Sequence, residues 1–294
     1  MPTAYLLSND IIRVYYASRD RFNRSRISFF DVTASDPLRI TYVHASPICE
    51  LGPPGAFDDC GMMPTSIVPL GDRTLLYYTG WSERVLVPYH NSIGVLLVHP
   101  DGTAERIGGG PVLGATVFEP FFVATAEVQY RDNSFLAWYA ACVGWEEKEG
   151  KMEPAYNIRF ATSRDGLNWE RTGEVVVDFG DASERAIASA SVLFGSQSAE
   201  MWFCYRKNIN YRTDKSAAYK IGYARQMKDG SWVRSDGSHG LGPDGSGWES
   251  EMVCYPSVLA VHERRLMFYN GNGFGASGIG VCEWIDPVPE KVCI

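Results

Sequence analysis

The chain has 294 residues, of which 45% are hydrophobic, 21% charged and 13% aromatic, a mixture expected of a globular protein with a large core and one or two domains. Its 27 basic and 35 acidic residues give a formal charge of −8, without a run of lysine or arginine. This argues against nucleic acid as a partner, because phosphate binding needs clustered positive charge. No stretch approaches the 18 consecutive apolar residues of a membrane span, so no membrane partner is expected.

The first residues, "MPTAYLLSNDIIRVYY", lack the basic segment and apolar core of a secretory signal. Short β-branched and aromatic runs then recur between Gly, Pro, Asn and Asp clusters, while helical periodicity is nearly absent. One phrase occurs five times: a small or Pro-flanked strand, an aromatic strand, a long loop and a third strand. The first copy reads "PTAYLL", "IRVYYASRD" and "SRISFFDV", and the second "PTSIVPL", "TLLYYTGW" and "SIGVLLVHPDG". The third has "ATAEVQY", "SFLAWYAACVGW" and "YNIRFATSRDGLNWERTG", and the fourth "SASVLF", "AEMWFCYRKN" and "YKIGYARQMKDGSWVRSD". The fifth closes the series with "YPSVLAV", "RLMFYNGNGFG" and "SGIGVCEW".

A second-strand spacing of roughly 60 residues suits a four-stranded propeller blade with long loops. The tails "DGLNWERTG" and "DGSWVRSD" supply an outer strand with a Trp to copies three and four. The expected fold is therefore an all-β, single-domain five-bladed β-propeller. Its blades are placed approximately at 1–50, 51–110, 111–178, 179–245 and 246–294. An irregular β-sandwich is the competing architecture.

In such a wheel the segment leading into each inner strand shares a face with the hairpin between strands two and three. The incoming segments carry Asp58 and Asp59, Glu119, Glu184, and Glu249 with Glu251. The hairpins carry Arg19, Asp20, Asn23 and Ser25; Trp81, Tyr89, His90 and Asn91; and Trp145 and Tyr156. Later hairpins add Arg206, Tyr211 and Arg212, then Asn270, Asn272 and Phe274. Carboxylates, amides and aromatic rings gathered at one mouth suit a saccharide, whose CH faces stack on rings and whose hydroxyls meet acids and amides. Two carboxyls can also divide acid and base roles. Each acid taken alone fits better as a loop residue bonded to backbone, and the arginines fit equally well as surface pairs.

The glycines of "YNGNGFGASGIG" would let the backbone approach a ligand; no helix follows, so this is not a phosphate loop. His44, His99, His239 and His262 lack metal-ligand spacing. Seven cysteines, Cys49, Cys60, Cys142, Cys204, Cys254, Cys282 and Cys293, are odd in number and scattered without a C-x-x-C pair. Buried free thiols in a reducing compartment follow, with a cytoplasmic location and no metal site. No cofactor is required, although acids and carbonyls near the axis would suit a divalent cation in the axial channel. Oligomeric state leaves no sequence sign.

The phrases "GAFDDCGMMPTSIV", "YNIRFATSRDGLNW", "YKIGYARQMKDGSW" and "YPSVLAVHERRLMFYNGNGFG" resemble the five-bladed β-propeller glycosidases, over nearly the full chain. That group includes arabinanase/β-xylosidase-like hydrolases and the related mannoside phosphorylases. The resemblance implies a substrate in an axial funnel and inverting hydrolysis by an Asp base, a middle carboxylate and a Glu acid entering successive blades. The first blade, "MPTAYLL", has no acid at the usual place of the base. Reading from the second blade gives Asp59 as base, Glu119 as middle carboxylate and Glu184 as acid, with Glu251 competing for each role. Arg206, Tyr211, Arg212 and His90 resemble a phosphate-binding set, which keeps phosphorolysis open. A carbohydrate-binding propeller without hydrolysis, or an elimination or cyclisation in the same funnel, are the other readings.

Overall fold

The computed structural model describes residues 1–148, 150–195, 198–208 and 210–284, and of Ser238 only the backbone. Cys293 and the rest of 285–294, the end of the range expected for the fifth blade, lie outside the described residues. The described chain is nearly all β. The aromatic and β-branched runs form the strands, because such side chains pack well on a pleated half-buried surface.

The strands follow one another as antiparallel meanders. The first is β1 (Thr3–Ser8), β2 (Ile11–Arg19), β3 (Ser25–Thr33) and β4 (Ile40–Val43). The second is β5 (Gly61–Leu70), β6 (Arg73–Glu83), β7 (Tyr89–Val98) and β8 (Ala104–Arg106). The third is β9 (Val123–Arg131), β10 (Ser134–Lys148), β11 (Lys151–Ser163) and β12 (Glu170–Val177). The fourth is β13 (Glu184–Phe194), β14 (Ala199–Lys207), β15 (Lys220–Gln226) and β16 (Trp232–Arg234). The last described meander is β17 (Cys254–Val261), β18 (Arg264–Asn270) and β19 (Ile279–Trp284). Outer strands β4 and β8, which the sequence did not announce, complete the first two.

Each meander packs its apolar face on the next. Tyr15 and Phe29 meet Met62, Leu76 and Tyr78; Leu75, Tyr77 and Val95 meet Val128, Phe135 and Tyr139. Trp138 and Ile158 meet Ile187 and Met201, and Trp202 and Tyr223 meet Met267 and Tyr269. Ile12, Val14 and Val32 of the first meander pack on Val261, Leu266 and Phe268 of the fifth. Burying one such side chain contributes about 1.5–3 kcal/mol, so these interfaces hold the meanders together.

The inner strands β1, β5, β9, β13 and β17 touch in the same cyclic order. No ladder pairs them with one another among the described residues, and side-chain hydroxyls accept from several of their backbone N–H groups instead. Ser257 Oγ accepts from Ala4 N (2.9 Å), Ser191 Oγ from Val258 N (2.8 Å), and Thr125 Oγ1 from Ser189 N (3.0 Å). Thr79 Oγ1 accepts from Thr125 N (2.8 Å), and Ser66 Oγ from Val128 N (3.0 Å). Thr125, Ser189 and Tyr255 occupy the left-handed region with φ of 48°, 56° and 57°, each beside a break in the register of its inner strand. Such conformations in non-glycine residues cost about 1–3 kcal/mol and concentrate where a site is built. Thr125 and Tyr255 line the cavity described next.

Candidate functional site

A cavity of about 970 Å³ opens where the incoming segments and the hairpins between second and third strands converge. All five described meanders contribute to its wall. On one side Phe122 packs against Tyr89, Trp145 and Tyr156, with ring centroids 5.7, 5.6 and 6.0 Å away. On the other, Phe274 sits 6.0 Å from Tyr219 and 6.4 Å from Tyr211. Between the two groups lies Arg206, buried, with its guanidinium 3.8 Å from the Tyr211 ring and 5.9 and 5.8 Å from Tyr156 and Tyr219. Arg206 donates to the carbonyls of Lys207 and Pro154 and leans on Glu153 at 3.8 Å. It thus braces the tyrosine wall from behind, a cation–π arrangement strengthened by burial. The Tyr156 and Tyr219 hydroxyls bond to each other; burial pushes both phenols up, so neither gives up its proton near neutral pH.

Trp81 is set at the end of β6 by its indole N–H, which donates to Ser25 Oγ at 2.9 Å. Gly61 makes this contact feasible, since a Cβ there would stand 2.1 Å from Trp81 Nε1. Arg19 lies over the Trp81 ring at 5.0 Å. Asn91 is buried on β7 in the same wall. Asn270, 2% exposed, ends β18 and gives Nδ2 to Phe274 O at 2.8 Å. Gly275, with φ of 98°, closes over this amide at a distance no Cβ would tolerate. The Phe274 carbonyl fixes the orientation of the Asn270 amide, leaving Oδ1 buried and without a partner.

The structure therefore gathers Arg19, Trp81, Asn91 and Asn270 from the expected binding set. It does not place the others in the wall. Asn272 Oδ1 accepts from Glu251 N (2.7 Å) and Met252 N (3.1 Å), tying two loops together. Tyr211 donates to Glu153 at 2.9 Å behind the wall, and Arg212 pairs with the same carboxylate from solvent. His90 is half-buried beside the cavity, and burial, followed by the Arg84 charge, pulls its imidazole down. Tyr16, Phe122, Tyr219 and Tyr255 were not anticipated; Phe122 and Tyr255 come from the apolar start of an inner strand, which reads in sequence as core.

The carboxylates behave differently from the expectation. No Asp or Glu lines the cavity among the described residues. Glu119 accepts from Arg159 at 3.1 Å, Arg171 at 2.6 Å and Tyr139 at 3.0 Å. Glu184 accepts a forked pair from Arg234 at 2.8 and 3.2 Å, and Gly180 N at 2.7 Å. Asp58 accepts from Arg106 and Tyr78, both at 2.9 Å, and Glu249 from Tyr269 at 2.6 Å. Burial, followed by the neighbouring carboxylate, pushes the Tyr78, Tyr139 and Tyr269 phenols up, which keeps them donors. The repeated acid thus latches the incoming loop to the outer strand of its own meander. Its arginine follows 48, 52 and 50 residues later, at Arg106, Arg171 and Arg234. That near-constant separation is the sequence signal that marks the latch. Asp59 accepts from Gly55 N at 2.9 Å, and exposed Glu251 stands 4.0 Å from Lys215; neither meets an arginine, and neither lines the cavity.

A second cavity of about 400 Å³ lies between the inner strands. Glu127 lines it, held by Gln129 Nε2 at 2.9 Å, and burial lifts its carboxyl to about 7. The Thr3 and Thr65 hydroxyls are buried there without partners. No group of three or more His, Cys, Asp or Glu gathers as for a metal ion among the described residues. No described helix is long and apolar enough to cross a membrane.

No protein-family model matches the chain. Among solved structures, a thermostable family-43 glycoside hydrolase superposes with a TM-score of 0.67 at 14% identity, covering 97% of this chain and 89% of its own. An exo-1,5-α-L-arabinanase from a bovine ruminal metagenomic library gives 0.66 at 11% identity, over 96% and 91%. Another glycoside hydrolase gives 0.72 at 13% identity, over 96% and 85%. The chain therefore shares its overall β fold with these glycoside hydrolases. In sequence, the chain is 34% identical over 282 residues to the uncharacterized proteins MT1551 and Rv1502 of Mycobacterium tuberculosis, covering 96% of this chain and 90% of each relative. It belongs to the same family as these two proteins.

Proposed function

We propose that the meanders are the blades of one closed five-bladed propeller, a single domain over 1–294 with the approximate boundaries expected from sequence. The cyclic packing, with the first meander seated on the fifth, supports this. We further infer that the aromatic cavity is a funnel for a saccharide or glycoside, and that recognition rather than two-carboxylate hydrolysis is its basic activity. The observation that carries this reading is a wall of ring faces that ends on the buried, unpartnered Asn270 Oδ1. Leaving such an oxygen without a donor costs about 1–3 kcal/mol, a cost that a ligand hydroxyl offsets. Ring faces of Trp81, Tyr156, Tyr219 and Phe274 offer apolar area for sugar CH groups. The ties of Glu119 and Glu184 speak against their use as acid and base, since their oxygens already accept bonds from arginines.

Hydrolysis is the second reading, favoured by the glycoside hydrolases of the same fold. It would fall to Asp59 and Glu251, the two candidates outside the arginine latches. Turnover of an aryl-glycoside panel, with and without phosphate, separates the readings when run beside saturation-transfer NMR of free saccharides. The first predicts saccharide signals with no turnover. Turnover that vanishes in folded Asp59→Asn or Glu251→Gln variants would instead establish the second. A cytoplasmic setting fits the six described cysteines, all of them free.

A further inference from the structure

The charges around the funnel point to a narrower ligand class. Asp58, Glu119 and Glu184 are each paired with arginine away from the cavity, so the wall is not negative even though the chain carries −8. Arg19 is the one charged side chain among the described residues that line the cavity. It belongs to the hairpin Arg19–Arg26, whose sequence "RDRFNRSR" holds four arginines and a single acid. That acid, Asp20, accepts from the backbone of Phe22 and Arg24 and pairs with the Arg24 side chain at 2.9 Å. Arg26 pairs with Glu50. Arg19 and Arg21 enter no ion pair among the described residues.

Arg19 is nevertheless held in place. Its Nη1 donates to Asn23 O at 2.6 Å, across a turn in which Asn23 takes φ of 63°, and its guanidinium rests over Trp81. Trp81 is itself fixed through Ser25. A positioned guanidinium with unused N–H groups, above a ring and beside a cavity without acids, suits a carboxylate or phosphate oxygen.

We propose that the funnel takes a saccharide bearing an anionic group, a carboxylate or a phosphate ester, and that Arg19 is its counter-charge. This rests on the reading of the cavity as a saccharide funnel. The sugar ring stacks among the aromatic residues, and its anionic substituent lies at the rim beside Arg19. The unpaired Arg21 on the same hairpin adds to the attraction at long range, an effect that salt screens.

The test compares sugars that share a ring and differ in one substituent: galacturonate with galactose, glucuronate with glucose, and glucose 6-phosphate with glucose. Tryptophan fluorescence and calorimetry read binding to the full chain. The anionic member of at least one pair should bind tenfold or more tightly than its neutral partner. Which pair responds tells a carboxylate ligand from a phosphate one. The preference should disappear in Arg19→Gln, persist in part in Arg19→Lys, and shrink in 0.5 M salt. Arg19 is exposed, so both variants should keep the wild-type thermal midpoint. Neutral sugars that bind as tightly, or a preference that survives Arg19→Gln, overturn the inference and leave the saccharide funnel standing. Binding by no member of any pair overturns both.

Discussion

The incoming loops and the funnel wall are built from overlapping residue types and do opposite things with them. At the loops of meanders two, three and four, a carboxylate meets an arginine in the outer part of its own meander. In the cavity wall, tyrosines stand beside Trp81 and Phe274, and no Asp or Glu lines it among the described residues. In these three meanders the latch pins the segment entering the first strand to the last strand. The groups that suit recognition do not recur: Arg19, Trp81, Asn91 and Asn270 each have a different counterpart in the other repeats. Repetition here marks what ties a meander together, and departure from repetition marks the cavity wall.

The largest effect that would break this contrast is on stability. Glu119→Ala leaves the partly exposed Arg159 and Arg171 without their shared, buried anion, and chemical denaturation should register a loss of about 3 kcal/mol. Glu184→Gln, which keeps shape but weakens the fork to a single arginine, should lose about 1.5–3 kcal/mol by the same measurement. Neither change should alter saccharide affinity while the protein remains folded. Glu127→Gln sharpens the picture through pH. The folded carboxyl is raised from 4.5 to about 7, so its stabilising contribution is present below 4.5 and lost as pH rises through about 7. The variant should therefore gain about 1–3 kcal/mol on wild type between pH 4 and pH 8, read from thermal midpoints. Trp81→Ala is the converse of the latch variants: saccharide affinity should fall about tenfold, equivalent to about 1.4 kcal/mol, with little change in melting. His90→Gln should be smallest, within about 0.5 kcal/mol on either readout.

Most of the architecture was legible because alternation and turn residues are local. The inner, second and third strands of all five copies appear where their phrases lie, and the long hairpins do meet at one cavity. The acids were harder. Their position repeats at the entry to the inner strands, but its meaning depends on arginines 48 to 52 residues away in the outer strands. Strands β4 and β8, of four and three residues, have too little pattern to announce themselves. Tyr255 and Thr125 are hidden in the sequence for another reason. They sit in strands that read as core, and left-handed backbone beside a register break turns them to the funnel. Glycine text was more informative: "NGNGFG" does fold back on Asn270, and Gly275 is what permits the approach.

Diffraction from crystals soaked with the galacturonate, glucuronate and glucose 6-phosphate panel tests the central claim most directly. The account predicts a sugar between the aromatic walls, with a hydroxyl donating to Asn270 Oδ1 and both Glu119 and Glu184 still on their arginines. A glycosidic oxygen within about 3.2 Å of either glutamate, freed from its latch, would contradict it.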